Sequence, residues 1–383
     1  MKKIPYGRHY ITEEDINAVI DVLKSNNLTQ GPHIPEFEQA FADYIGAKYA
    51  VAVSSGTAAL HLSVMSMGVK PGEKVITTPI TFAASANCVR YCGGDVVFAD
   101  IDPETYLLDI NEVRKLLVAA PKGTYKGIIP VDFAGKAVDL EAFRDLADEY
   151  GCWIIEDACH APGGYFLDLK GIKHNCGNGE FAELAVFSFH PVKHIACGEG
   201  GMITTNDISL YNKLRNLRTH GIQQIPELRK YNPGVWYYEM QELGYNYRLT
   251  DLQSALGISQ LKRAGDGLKK RRELAAVYEE AFCGKSYIRR QTGKKEGHAY
   301  HLYVVEFEDR NGLINHLREN NIIAQVHFIP IHLMPYYRQL GWKDGDLANA
   351  ENYYKYCLSI PMFPTLTIEE QAFVIQTIDA FYA

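Results

Sequence analysis

The chain has 383 residues, of which 47% are hydrophobic and 22% charged, the composition of a folded globular protein rather than a disordered one. That length calls for a large domain plus a smaller one. A formal net charge of −7 argues against a general nucleic-acid or anionic-membrane partner, while leaving room for a local phosphate site.

The N-terminal residues MKKIPYGRHYITEED hold two lysines with no apolar stretch behind them, and later apolar runs such as CWII are short. Neither a signal peptide nor a membrane span is expected, so the protein is read as cytoplasmic. Eight cysteines without a secretion signal read as reduced thiols, and Cys159-His160 with His174-x-Cys176 fits no familiar zinc spacing, so no metal is expected.

In chain order, Thr12 followed by Glu13, Glu14 and Asp15 predicts the start of an amphipathic helix with Ile16, Val19, Ile20 and Leu23 on one face. From residue 48, the apolar runs YAVAVS, KVITTP, DVVFAD, KGIIPVDF and CWIIEDA alternate with helical stretches, the βα rhythm of a parallel sheet covered on both faces. Near residue 250 the pattern becomes one long helix, TDLQSALGISQLKRAGDGLKKRRELAAVYEEAF. Strands near HLYVVEF and IIAQVHF and two terminal helices follow. The expected division is an N-terminal segment 1–30, a large domain 31–249 and a small C-terminal domain 250–383.

Ligands of such sheets collect at the carboxyl ends of the strands. VAVSSGTAALHL passes from strand through Ser54-Ser55-Gly56-Thr57 into helix, where free backbone N–H groups and hydroxyls suit a phosphate; alone, this is also an ordinary helix cap. CWIIEDACHA ends an apolar run on Glu156-Asp157, a carboxylate that must be hydrated, paired or functional. FSFHPVKHIACGEGGM presents Lys193 between two strand-like runs. By itself it reads as a solvated loop lysine, but in a walled, partly dry site it would be a nucleophilic amine. Pyridoxal phosphate needs such a set: an amine for its aldehyde, an anion for its ring nitrogen and a cradle for its phosphate. Phe82 in TTPITFAASAN offers a ring to stack on the pyridine, although a core phenylalanine would look the same.

The ordered motifs SSGTAAL, TTPITFAASAN, VDFAGKAVDL, IIEDACHA, FSFHPVKHIACGEGGM and LGYNYRLTDLQSALG resemble the DegT-type pyridoxal-phosphate-dependent sugar aminotransferases, over about residues 4 to 380. IPYGRHYITEEDI, SNNLTQGP, SFHPVKHI and QVHFIPIHLMPYYRQLGW narrow the likeness to the branch that serves pseudaminic acid biosynthesis. The resemblance implies an α/β fold of the aspartate-aminotransferase type (fold type I), with a mostly parallel sheet covered by helices and a smaller α/β C-terminal domain. It implies that Lys193 holds the cofactor and moves a proton, that Asp157 faces the ring nitrogen, and that His160 lies near the phenolic oxygen with Phe82 on the ring face. Gly56, Thr57 and Ser188 would hold the phosphate, with Asn246 supplied by the neighbouring subunit of a homodimer. Tyr6, Asn27, Leu28, Thr29, Gln30, His190, Gln325, His327 and Phe328 would line the substrate cleft. The implied substrates are L-glutamate and a UDP-linked 4-keto-6-deoxy-N-acetylhexosamine, aminated at C4.

Ala196-Cys197 stands where two threonines are expected, and SSGTAAL replaces the NSATSAL of related members, changes that bear on substrate detail. Another nucleotide 3- or 4-ketosugar, of the perosamine or aminoarabinose type, stays open as substrate. A non-catalytic or dehydratase-like relative is disfavoured by the retained Lys193 and Asp157.

Overall fold

Short runs rich in valine and isoleucine favour strands that can be buried on both faces. Seven of them form one sheet in a computed structural model that describes residues 3–223, 227, 229–231 and 233–383. They are β1 (Tyr49–Val53), β2 (Lys74–Thr77), β3 (Asp95–Phe98), β4 (Tyr125–Ile129), β5 (Trp153–Asp157), β6 (Leu184–Ser188) and β7 (Gly201–Thr205). Their order across the sheet is β1-β7-β6-β5-β4-β2-β3. The five strands from β6 to β3 pair in parallel, whereas β7 runs antiparallel to both β1 and β6. The segment joining β6 to β7 contains no helix to carry the chain across, so the chain turns straight back, and that return loop holds Lys193. Val51, Ile76, Ile128, Ile155, Val186 and Ile203 anchor the sheet in the core, all fully buried.

A second apolar cluster forms around an antiparallel sheet of β8 (Ile288–Arg290), β9 (Tyr303–Phe307) and β10 (Cys357–Ile360). Leu274, Tyr278, Phe307, Val374 and Ile378 fill it, and Ile4 from the N-terminal segment packs there too. That contact follows from backbone pairing: the Ile4 N–H donates to the Asn321 carbonyl at 2.9 Å and the Ile323 N–H to the Ile4 carbonyl at 2.8 Å.

Three local expectations change. The helix α1 (Glu13–Lys24) begins after Thr12 as predicted, but Ile16 and Leu23 are exposed, and the residues it buries are Asp15 and Val22. Asp15 is drawn inward because Gln260 Nε2 donates to its Oδ2 at 2.8 Å and the Arg263 guanidinium pairs with the same oxygen. The long helix near residue 250 is two helices, α3 (Asp251–Leu261) and α4 (Ala264–Ala281). They part at Lys262-Arg263, where Arg263 turns to bond Asp15 and the Tyr10 carbonyl and the glycines of AGDGL weaken helix propensity. IIAQVHF makes only isolated bridges, Ile322 to Ile4 and Gln325 to Ser359, because two different segments take up its backbone groups before Pro330 redirects the chain.

Candidate active site

The carboxyl ends of β1, β5 and β6 open on a cavity of about 620 Å³. Twelve of the residues singled out from the sequence line it: Tyr6, Gly56, Thr57, Phe82, Asp157, His160, Ser188, His190, Lys193, Gln325, His327 and Phe328. They come from a helix start, strand ends, four inter-element loops and the N-terminal segment, which only the folded chain brings together.

At the lip of β1, helix α2 (Gly56–Ser66) starts with Ser55, whose Oγ accepts the Ala58 N–H at 3.0 Å. That cap leaves the first N–H groups of the helix unused by it. A Cβ on Gly56 would stand 2.9 Å from the Ser188 Cβ, so this floor admits only glycine without a shift of β6.

Asp157 ends β5 and is 4% exposed. Its Oδ2 accepts from the Ser85 hydroxyl at 2.6 Å, which is linked in turn to Thr81 at 2.8 Å; its Oδ1 accepts the Cys159 N–H at 3.2 Å. These partners are neutral, and none of the salt bridges found among the described residues involves this buried carboxylate.

Lys193 is held by its own loop, its N–H donating to the His190 carbonyl at 2.8 Å. Nζ lies 3.5 Å from Nε2 of His301. Burial lowers the amine's pKa; Cys159 and Asp157 push it back up, and the Arg271 guanidinium lowers it further. His160 accepts the Ala134 N–H on Nδ1 at 3.3 Å, which leaves Nε2 to carry its proton, and its ring lies 4.4 Å from that of His301, tilted by 40°. Burial first, then the neighbouring Lys193, keeps His160 and His301 neutral far below the usual imidazole range.

Phe82 is 63% exposed at the cavity, which removes the alternative of a core phenylalanine. Asn27, Leu28, Thr29, Gln30 and Asn246 do not line this cavity and are exposed. Thr29 bridges Thr250, and the Asp251 N–H donates to the Leu28 carbonyl at 3.1 Å, whereas Asn246 bridges Thr219. His301, Ser85 and Glu199 went unnoticed in the sequence. The only signal for His301 was a second histidine in HAYHLY just before β9; Ser85 looked like an ordinary helix serine in FAASAN.

A depressed buried amine, a buried anion with neutral partners, and a glycine floor under a helix start match the three ends of pyridoxal phosphate, so the residues present fit the group. Fold and site together define a fold-type-I pyridoxal-phosphate enzyme. The chain belongs to the DegT/DnrJ/EryC1/StrS aminotransferase family, whose model matches residues 9–379. It is 39% identical to the spore coat polysaccharide biosynthesis protein SpsC of Bacillus subtilis, over 98% of this chain and 96% of that one. It is 37% identical to the UDP-4-amino-4,6-dideoxy-N-acetyl-beta-L-altrosamine transaminase of Campylobacter jejuni, with the same coverage. Among solved structures it superposes on Helicobacter pylori PseC, described as an aminotransferase involved in the biosynthesis of pseudoaminic acid, with a TM-score of 0.88, 31% identity and 99% of each chain covered.

Proposed function

We propose that this aminotransferase moves the amino group of L-glutamate to C4 of a UDP-linked 4-keto-6-deoxy-N-acetylhexosamine, a step of pseudaminic acid biosynthesis. The observation that carries the reading is the meeting of Lys193, Asp157 and His160 on one cavity large enough for a nucleotide sugar, in a chain similar to the two pseudaminic-type enzymes. When bound, pyridoxal phosphate supplies a carbon that reacts with amines and a cationic ring that stores an electron pair.

The chain's own residues do the rest. Lys193 Nζ takes the proton from the carbon that loses or gains the amine, a task suited to an amine whose pKa burial has lowered. Asp157 holds the ring nitrogen's proton, with Ser85 fixing the carboxylate's orientation. His160 offers its Nε2–H toward the phenolic oxygen. Gly56, Thr57 and Ser188 hold the phosphate, Phe82 covers a ring face, and Tyr6, His190, Gln325, His327 and Phe328 form the sugar side of the cavity.

The exposure of Asn246 and of Asn27, Leu28, Thr29 and Gln30 supports a homodimer in which each subunit completes its partner's cleft. The exposed apolar side chains Val235, Trp236, Tyr238, Met240 and Leu243, just before Asn246, support the same assembly. The small C-terminal domain is supported by the separate apolar cluster around β9, whose C-terminal members run from Leu274 to Ile378. A cytoplasmic location is the reading we keep; no helix among the described residues is long and apolar enough to cross a membrane.

A second reading, transfer to a different 3- or 4-keto nucleotide sugar, is favoured by the identity to SpsC, which slightly exceeds that to the C. jejuni transaminase. Assay against a panel of UDP-, GDP- and dTDP-linked ketosugars decides between them. Glutamate consumed only with the UDP-linked 4-keto-6-deoxy-N-acetylhexosamine supports the first reading, and equal turnover of GDP- or dTDP-linked sugars replaces it with the second.

A further inference from the structure

Behind Lys193, away from the strand ends, lies a second cavity of about 280 Å³. Among the described residues, Lys193 is the one that lines both cavities. The two differ in charge: among the described residues the main cavity has no arginine in its wall, whereas the second is walled by Arg8, Arg263, Lys270 and Arg271 against a single carboxylate, Asp266.

Some of that charge is already answered. Arg263 pairs with Asp15, and Lys270 Nζ stands 3.6 Å from Glu273. Arg271 and Arg8 are not answered in this way. Arg271 is 2% exposed, and its Nη1 donates to the carbonyls of Tyr300, His301 and Met362 at 3.2, 3.1 and 3.0 Å, while Nε has no partner among the described residues. A guanidinium taken out of water with carbonyls but no carboxylate has not recovered its desolvation cost. Arg8 has a buried, unpartnered Nε and lies over the Phe363 ring, 5.0 Å from its centroid, with no ion pair among the described residues.

We propose that this cavity binds a small oxyanion, a carboxylate or phosphate group, through Arg8 and Arg271, with Lys270, only loosely paired with the exposed Glu273, as a third donor. The bound charge acts on the catalytic lysine. Arg271 disfavours the protonated form of Lys193, so an oxyanion beside Arg271 offsets that repulsion and raises the amine's proton affinity. The other groups facing Lys193 are Asp157, Cys159, His160 and His194 from the large sheet and its loops, and His301 and His327 from the second unit. They are part of the chain whether or not the anion is bound.

The ligand chemistry has two sources, inorganic phosphate and a dicarboxylate of the amino-donor type. Glutarate, which has no amine to transfer, stands for the second. The cofactor-loaded protein, its phosphate cradle filled, is titrated with each anion by calorimetry and by the pH midpoint of its visible absorption band. Either anion should give saturable heat and raise the midpoint by about half a pH unit. Arg8→Gln/Lys270→Gln should lose both effects, and Arg8→Lys, which keeps the charge, should retain them. A response to glutarate alone identifies a dicarboxylate site, and a response to phosphate alone a phosphate site. No response to either, or an undiminished response in the double variant, overturns the proposal. The optical arm rests on the cofactor reading: a missing band would overturn that reading, and calorimetry on wild type against the double variant would still decide the anion site.

Discussion

Lys193 has a lowered proton affinity because the loop between β6 and β7 seats its amine in a walled cavity, with Asp157 and Cys159 only partly compensating. Lys193→Ala should therefore give a colourless protein that borohydride cannot link to cofactor and that has no transaminase activity, and Lys193→Arg should fail alike because guanidinium stays protonated. A stable borohydride adduct in the alanine variant would show that another amine holds the cofactor. Asp157→Asn keeps the shape and the Ser85 contact but removes the anion, so turnover should fall by about two orders of magnitude or more while cofactor still binds. Near-normal turnover would mean that another group pairs with the ring nitrogen. The histidines around the site set a pH limit on folding. Burial holds His160, His194, His298 and His301 well below the ordinary imidazole range, and His327 down at about 3. As pH falls through about 6.5 the unfolded chain takes up protons that the native state refuses, so stability must drop, by up to about 1.4 kcal/mol per pH unit for each histidine. Glu156, whose pKa burial pushes up, and Asp132, pushed up to about 6, have the opposite sign and offset part of this. Urea unfolding between pH 7.5 and 6 should show stability declining toward acid; a flat profile would mean these rings are hydrated.

The interest of α1 lies in which of its faces is buried. Apolar spacing pointed to Ile16 and Leu23, yet the contact with α3 and α4 is made through Asp15, fully buried, and its bonds to Gln260 and Arg263. A carboxylate removed from water survives only with such partners, and the same bonds hold the chain at the α3–α4 break. Asp15→Ala should then cost about 2 to 3 kcal/mol, because it strands a partly buried guanidinium and an amide, while the exposed Ile16→Ala should stay within about 0.5 kcal/mol. Chemical denaturation of both variants checks the ranking, and the reverse order would restore the apolar face as the buried one.

In the complete molecule the main cavity holds twelve of the expected residues but not Asn246, which is exposed and bridges Thr219. If each subunit lends Asn246 to its partner, mixing inactive Lys193→Ala protein with an inactive Asn246→Ala protein should restore activity. Each heterodimer regains one intact site, up to about half of a normal dimer's two. Activity should appear on the timescale of subunit exchange, followed with differently tagged chains. A mixture that stays dead after verified exchange, or an Asn246→Ala protein with unchanged cofactor affinity, would sink the shared site.

The sequence by itself determined what depends on neighbours along the chain. Val- and Ile-rich runs at regular intervals predict the strands of the large sheet, Ser and Gly at the β1 end predict the helix start that can hold a phosphate, and IIEDACHA and HPVK put a carboxylate and a lysine at strand ends. The family likeness then assigned their roles. Tertiary structure alone decided what depends on packing. It turned β7 antiparallel, brought His301 to 3.5 Å from Lys193, set Ser85 on Asp157, buried Asp15 instead of Ile16, and gathered Arg8 and Arg271 behind the lysine. The physical reason is the range of the forces. Backbone propensity and hydrophobic periodicity act over a turn or a strand and leave a trace in neighbouring residues. The partner of a buried polar group is whichever group the folded layers bring within hydrogen-bonding distance, often more than a hundred residues away, and no local pattern encodes it.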